Sequence, residues 1–151
     1  MDSRAGAGDT VGVKLWLLYS GRARDAHANA LAAEYLKRSS RYMQCEMREI
    51  DPRRYDPFAR HAAARKALLD PDGREMDSRE FAALIGAAER EARDLVFVVG
   101  GHDGLPEEWK AKADLLVSLS RLTMPHELAR AVLAEQIYRA LTMLRGHPYP
   151  R

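Results

Sequence analysis

The sequence holds a single cysteine, Cys45, in 151 residues. One thiol cannot build an internal disulfide framework or a cysteine-based zinc site. Long hydrophobic runs are missing too. No stretch approaches the roughly eighteen apolar residues that a membrane helix needs, so no membrane partner is expected. Charge of one sign is scarce: 24 basic residues face 22 acidic ones, for a formal charge of +2. That balance makes no case for a nucleic-acid partner by itself. Histidine ligand pairs are absent. His27, His61, His102, His126 and His147 are scattered, and none sits in an HExxH-type spacing, so no metal is expected. No Ser-His-Asp spacing suggests a nucleophilic triad. Met1 to Thr10 lacks the apolar stretch of a signal peptide. Residues 1–12 read as a flexible leader, and a reducing, cytoplasmic setting is the expectation.

What is present is ordinary globular composition, 46% hydrophobic and 30% charged. Residues 13–151 are enough for one domain with a real core. Val13 to Tyr19 is an apolar run ending at Ser20-Gly21, and it suits a buried strand. Asp25 to Arg38 carries Ala28, Leu31, Ala32 and Tyr35 at helical spacing. Met43, Cys45 and Met47 alternate with polar residues, which predicts a half-buried strand ending near Ile50. Phe58 to Lys66 reads as a short helix, and Ala67 to Asp70 as a short strand. Pro71-Asp72-Gly73 reads as a turn, because Pro presets φ and Gly permits positive φ. Asp77 and Glu80 form a capping-box spacing ahead of Phe81, Leu84, Ile85 and Ala88, which predicts an amphipathic helix.

Leu95 to Val99 is apolar throughout, as for a central parallel strand covered on both faces. Pro106-Glu107-Glu108 opens a short helix. Leu115 to Leu119 is a further strand. The last helix starts at Pro125, runs through Leu128, Val132, Leu133, Ile137, Leu141 and Leu144, and stops at Gly146 and Pro148. Strands alternate with helices, so the fold class is α/β with a mostly parallel sheet.

Gly100-Gly101-x-x-Gly104 follows the strongest strand. It matches neither the dinucleotide fingerprint nor the P-loop, so it is either a ligand-facing loop or a plain tight turn. Ligands of open α/β sheets sit beyond the carboxyl ends of the strands. Three such ends (Leu69-Asp70, Gly100-Gly101, and Leu119 to Met124) either line one crevice or are three unrelated loops. Residues 37–66 hold nine basic residues against four acids, which suits phosphate contact or simply a solvated face. Arg130, Arg139 and Arg145 mark the last helix. They could meet phosphate and base edges or bridge to Glu127 and Glu135.

The C-terminal half carries a specific resemblance. Its motifs are Phe97-Val98-Val99-Gly100-Gly101-His102-Asp103-Gly104-Leu105, Leu119-Ser120-Arg121-Leu122-Thr123-Met124-Pro125-His126, Leu133-Ala134-Glu135-Gln136-Ile137-Tyr138-Arg139-Ala140 and Gly146-His147-Pro148-Tyr149. Together they resemble the ribosomal RNA large subunit methyltransferase H family, a SPOUT-class group. The likeness is strong from Asp70 to Tyr149 and weaker over Lys14 to Ile50, where Glu34-Tyr35-Leu36-Lys37-Arg38 fits the family's first helix.

The resemblance implies an α/β trefoil-knotted domain and methylation of N3 of a pseudouridine in 23S (large-subunit) rRNA. It implies S-adenosyl-L-methionine as cofactor, a homodimer, and large-subunit rRNA within the ribosome as partner. Carried over by position, the cofactor residues are Leu69, Gly100, Leu119, Ser120, Arg121, Leu122, Thr123 and Met124. Arg139 would lie near the reacting base as a cation for the base anion, with His147 and Tyr149 of the tail beside it. The Pro106–Lys112 helix or the exposed half of the last helix would supply the self-contact.

The chain departs from the family in places. The tail reads Pro148-Tyr149-Pro150-Arg151 where the family usually has Pro-Tyr-His; if that histidine handles the substrate proton, its role is vacant here or is filled by Arg151 or water. The middle segment, residues 51–69, is shortened. Arg74 replaces a lysine after the turn glycine, and Gly21 survives in an altered setting. These departures motivate an alternative, a catalytically impaired relative that binds cofactor or ribosome.

Overall fold

The computed structural model describes residues 12–149. The expected leader, apart from Gly12, and the tail residues Pro150 and Arg151 lie outside them. Ten elements follow in chain order: β1 (Lys14–Ser20), α1 (Ala26–Ser39), β2 (Gln44–Ile50), α2 (Pro57–Arg60), β3 (Arg65–Glu75), α3 (Ser78–Glu91), β4 (Leu95–Val99), α4 (Glu107–Lys112), β5 (Leu115–Ser118) and α5 (His126–Arg145). The strands form a five-stranded sheet in the order β2-β1-β4-β3-β5. Every pairing is parallel. The α/β class with a mostly parallel sheet is therefore as the sequence implies.

β4 is central because it has nothing polar to expose. Leu95, Val96, Phe97 and Val98 are fully buried and Val99 nearly so. Its odd positions, with Leu15 and Leu17 of β1 and Ala67 of β3, face α1, α3 and α5. Phe81 of α3 stacks on Phe97 with ring centroids 5.4 Å apart. Its even positions, with Leu18 and Leu68, meet Trp109 of α4 and Phe58 of α2. Each such side chain contributes about 1.5–3 kcal/mol on burial.

Helix ends follow local chemistry. The capping box is present: Glu80 N–H donates to Asp77 Oδ1 at 2.8 Å and Asp77 N–H to Glu80 Oε1 at 3.0 Å. Asp25 caps α1 by accepting from Ala28 N–H at 3.0 Å. α5 ends at Gly146, whose φ of 68° is left-handed. His147 N–H then reaches back to the Thr142 carbonyl at 2.9 Å, which closes the helix in the usual glycine-terminated way.

The middle segment differs from its reading in two ways. The expected helix over Phe58 to Lys66 shrinks to the single turn of α2, and Arg65 and Lys66 start β3 instead. Their backbones are claimed by the sheet's surroundings: Arg65 N–H donates to the Asp94 carbonyl and Lys66 N–H to Asp114 Oδ2. The second difference is at Pro71-Asp72-Gly73, which does not reverse the chain. Leu69 and Arg74 both oppose Val117 of β5, so residues 70–73 bulge out of one long strand. Asp70 Oδ1 accepts Asp72 N–H at 2.8 Å and shapes the bulge. Gly73 then presses onto β5, where a Cβ would sit 2.7 Å from the Leu116 carbonyl carbon and from Val117 N. The shortened middle thus keeps a full strand.

Backbone cannot yield as a side-chain tip can, so Gly73→Ala should loosen the β3–β5 pairing. We expect it to lower stability by about 1–3 kcal/mol, seen as an earlier urea midpoint with unchanged slope. A wild-type midpoint would show that the bulge has slack.

Candidate functional site

The β3 bulge at Leu69-Asp70-Pro71 and the carboxyl ends of β4 and β5 surround one cleft of about 310 Å³. Leu69, Gly100 and all of Leu119, Ser120, Arg121, Leu122, Thr123 and Met124 line it. The three strand ends are one crevice and not unrelated loops. The cleft also gains residues from elsewhere: His126 and Ala129 from the first turn of α5, and Lys110 from α4. Lys110 Nζ lies 3.2 Å from Asp70 Oδ2 and 3.1 Å from Glu107 Oε2. Asp70 is nearly buried, and the Asp72 N–H, then Lys110, holds its carboxyl below the usual range. Lys110 carries no sequence signal for this role. Only the passage of α4 across the sheet brings it to the strand ends.

The glycine loop is both a tight turn and a cleft wall. Gly104 N–H donates to the Gly101 carbonyl at 3.0 Å, and Gly104 has φ of 74°. A Cβ on Gly100 would lie 2.9 Å from the Gly104 carbonyl carbon, and one on Gly101 would lie 2.9 Å from the Ser20 carbonyl oxygen. These glycines are required by chain-on-chain contact. Gly101 N–H also donates to Ser20 Oγ at 2.9 Å, tying the ends of β4 and β1 together. The loop after β5 is ordered by its own serines. Ser118 Oγ donates to the Ser120 carbonyl at 3.1 Å, and Leu122 N–H donates to Ser120 Oγ at 2.9 Å.

The first turn of α5 anchors the loop after β1. Glu127 Oε1 accepts from Arg24 N–H at 2.7 Å, Asp25 N–H at 3.0 Å and Asn29 Nδ2 at 2.7 Å. Those bonds, the Asp25 and Arg24 N–H first, pull its carboxyl down to about 2. Arg130 beside it is fully buried, stacked 3.8 Å over the Tyr19 ring, with one guanidinium nitrogen 2.7 Å from Asn29 Oδ1. Sequence spacing suggested an Arg130–Glu127 bridge, and the two do approach to 3.9 Å. The ring and Asn29 are the closer partners.

Arg139, His147 and Tyr149 do not line the cleft. They gather with aromatic rings of α1 and α5. Arg139 bonds Glu135 Oε2 at 2.7 Å and stacks 4.8 Å over the Tyr149 ring. The Tyr149 hydroxyl donates to Glu135 Oε2 at 3.0 Å and lies 3.3 Å from the Tyr35 hydroxyl. Burial, then the Tyr35 and Glu135 hydrogen bonds, raises its pKa. Tyr138 meets the Tyr149 ring edge-on at 4.8 Å, and His147 faces Tyr42 at 6.1 Å. Arg139 lies thirteen residues beyond His126 on the same helix, about 20 Å at the rise of an α-helix. Within one chain, cleft and cluster are separate. Burial pushes the Cys45 thiol up to about 12, and Cys45 is a packing residue.

Comparison with known proteins gives the family. A family model described as "Predicted SPOUT methyltransferase" matches residues 13–150. The chain belongs to this family. A curated protein of Solibacter usitatus (strain Ellin6076), "Ribosomal RNA large subunit methyltransferase H", is 59% identical over 92% of this chain and 100% of its own length. Among solved structures, a probable methylase family protein from Haemophilus influenzae Rd KW20 superposes with a TM-score of 0.60. It is 12% identical, and the match covers 94% of this chain and 73% of that one. An AdoMet bound rRNA methyltransferase from Sinorhizobium meliloti gives a TM-score of 0.50 at 11% identity, over 85% of this chain and 57% of that one. At those identities the two structures speak for the fold alone.

The glycine loop of the strand-end cleft is built on contacts with β1. Glu127 holds that arrangement from the side. A carboxyl depressed in the folded state adds stability above its unfolded value, 4.5, and loses it as the pH falls through that value towards about 2. The thermal midpoint of Glu127→Gln should therefore lie below wild type at neutral pH, with the gap closing between pH 4.5 and 2. A gap that stays constant with pH would show that the charge of Glu127 contributes nothing.

Proposed function

We propose that this methyltransferase transfers a methyl group to N3 of a pseudouridine in 23S ribosomal RNA, within the ribosome and as a homodimer. The observation that carries the reading is the convergence of Leu69, Gly100 and Leu119 to Met124 on one cleft. These are the positions to which the family resemblance assigns the cofactor, S-adenosyl-L-methionine.

The residues present fit that group. Leu69, Leu105, Val117 and Met124 supply apolar wall, and the loops on either side present backbone donors and acceptors, as a nucleoside with an amino-acid tail requires. When bound, the sulfonium supplies a methyl group already activated for transfer. The chain's own contribution is then alignment and management of one proton. The N3 proton must leave to water, and the base becomes anionic as it does. Arg139 is the cation for that anion. Glu135 and the Tyr149 ring hold its guanidinium in one orientation. His147 and Tyr149 close the tail over the base.

The separation of cleft and cluster along α5 supports the homodimer. A second copy would bring its Arg139 cluster to this copy's cleft, so two chains would make one site. The trefoil knot belongs to the same reading. β4 pairs with β3 and β3 with β5, so the connection through α4 must pass over β3. Among the described residues no helix is long and apolar enough to cross a membrane, and a ribosomal substrate puts the protein in the cytoplasm. The Pro148-Tyr149-Pro150 tail favours the second reading, a cofactor- or ribosome-binding relative without turnover.

Two measurements test this. Arg139→Ala should lower methyl transfer to purified ribosomes by at least about 10²-fold while calorimetry finds S-adenosyl-L-methionine affinity nearly unchanged. Unchanged turnover would refute the role of Arg139. Wild-type protein with cofactor affinity and no transfer would establish the second reading. Light scattering at working concentration should return twice the chain mass. A monomer with full activity would overturn the two-chain site.

A further inference from the structure

All strands are parallel, so every loop that follows a strand lies along one rim. The strand order puts the loops after β2 and β1 on one side of the cleft and the loop after β5 on the other. At about 4.8 Å per strand, the rim runs about 19 Å from β2 to β5. The open side of this rim carries exposed arginines. Arg22 and Arg24 follow β1, and Arg53 and Arg54 follow β2. Arg121 stands on the far side, its side chain 88% exposed.

The acids on these loops are already committed. Asp25 accepts Ala28 N–H as the cap of α1, and Asp56 accepts Phe58 N–H as the cap of α2. Glu127 is occupied by three donors of the β1 loop and α1. Asp51 holds Arg53 at 3.2 Å. Asp103 on the glycine loop and Asp72 on the β3 bulge are exposed. Arg22, Arg24 and Arg54 have no ion-pair partner among the described residues. The loop that carries Arg22 and Arg24 is nevertheless fixed. Ser20 holds its start against Gly101 of the cleft wall, and Glu127 holds its end. Its backbone is rigid at the cleft mouth while two guanidinium groups face solvent.

We propose that Arg22 and Arg24, continued by Arg53 and Arg54, form a track for RNA backbone phosphates that leads to the cleft. The proposal rests on the rRNA reading above and adds where the substrate's backbone lies. Guanidinium groups on a fixed loop meet phosphate bidentately with little ordering cost. They position the strand and carry no sequence information. The +2 charge of the whole chain hides this local cluster: residues 22–24 and 53–54 hold four arginines and no acid.

The test uses the full-length protein, a large-subunit rRNA fragment and intact large subunits over a range of KCl. Arg22→Ala/Arg24→Ala should weaken binding to naked RNA by about four- to sixfold per arginine near 0.15 M salt, and should flatten the log K against log salt slope by about 0.7–0.9 per arginine. KM for large subunits should rise with kcat held, and cofactor affinity should not move. Arg22→Lys/Arg24→Lys should recover most of the loss, which a merely structural role would not allow. Unchanged RNA affinity and slope in the alanine variant would overturn the track. Weaker binding to intact subunits with unchanged binding to naked RNA would assign the loop to a protein partner instead, and also overturn it. Wild-type protein that binds neither RNA nor subunits would overturn the rRNA reading together with the track.

Discussion

The packing of α5 against α1, α3 and the sheet sets the geometry on which everything else depends. Ala131, Leu133, Ala134, Ile137, Ala140 and Leu141 are buried along one side of it. All six belong to the core that α5 shares with β1, β4, α1 and α3. A helix held this way is a rigid rod whose length is set by covalent geometry. Its first turn lies in the wall of the cleft, and its Arg139 sits almost four turns on. No side-chain movement in one chain can close that distance. The division between the strand-end cleft and the Arg139 cluster is thus a consequence of helix rise.

The strand-end rim depends on a different constraint, the contact of backbone with backbone. Gly100 folds onto Gly104, and Gly101 rests on Ser20. Such contacts place the loop without spending side chains, which leaves the cleft wall open to a ligand. Glu127 and Arg130 extend this framework from α5 to β1 and α1. A buried guanidinium is costly to desolvate, and the Tyr19 ring and Asn29 offset only part of that cost, because Arg130 Nε and Nη2 are buried without a hydrogen-bond partner.

Much of the fold was legible because the signals were local. The unbroken apolar run of β4, the Asp77–Glu80 box, and the Gly146 stop each act within a few residues. The readings that failed were also local, and failed because a distant partner decided. Pro71-Asp72-Gly73 has the chemistry of a reversal, and the bulge it makes is dictated by β5, which recaptures the chain at Arg74. The alanine-rich run before Arg65 favours helix. Asp94 and Asp114, far along the chain, draw Arg65 and Lys66 into the sheet instead.

The site divides in the same way. The sequence alone determined the α/β class, the family motifs and the residues at three strand ends, because periodicity and motif spacing are properties of neighbouring residues. Only the tertiary structure decided that those ends share one cleft, that Lys110 joins it, and that Arg139, His147 and Tyr149 stand apart from it. Those facts depend on strand order and on where rigid helices cross the sheet, and contacts between residues eighty or a hundred positions apart leave no periodic trace in the chain.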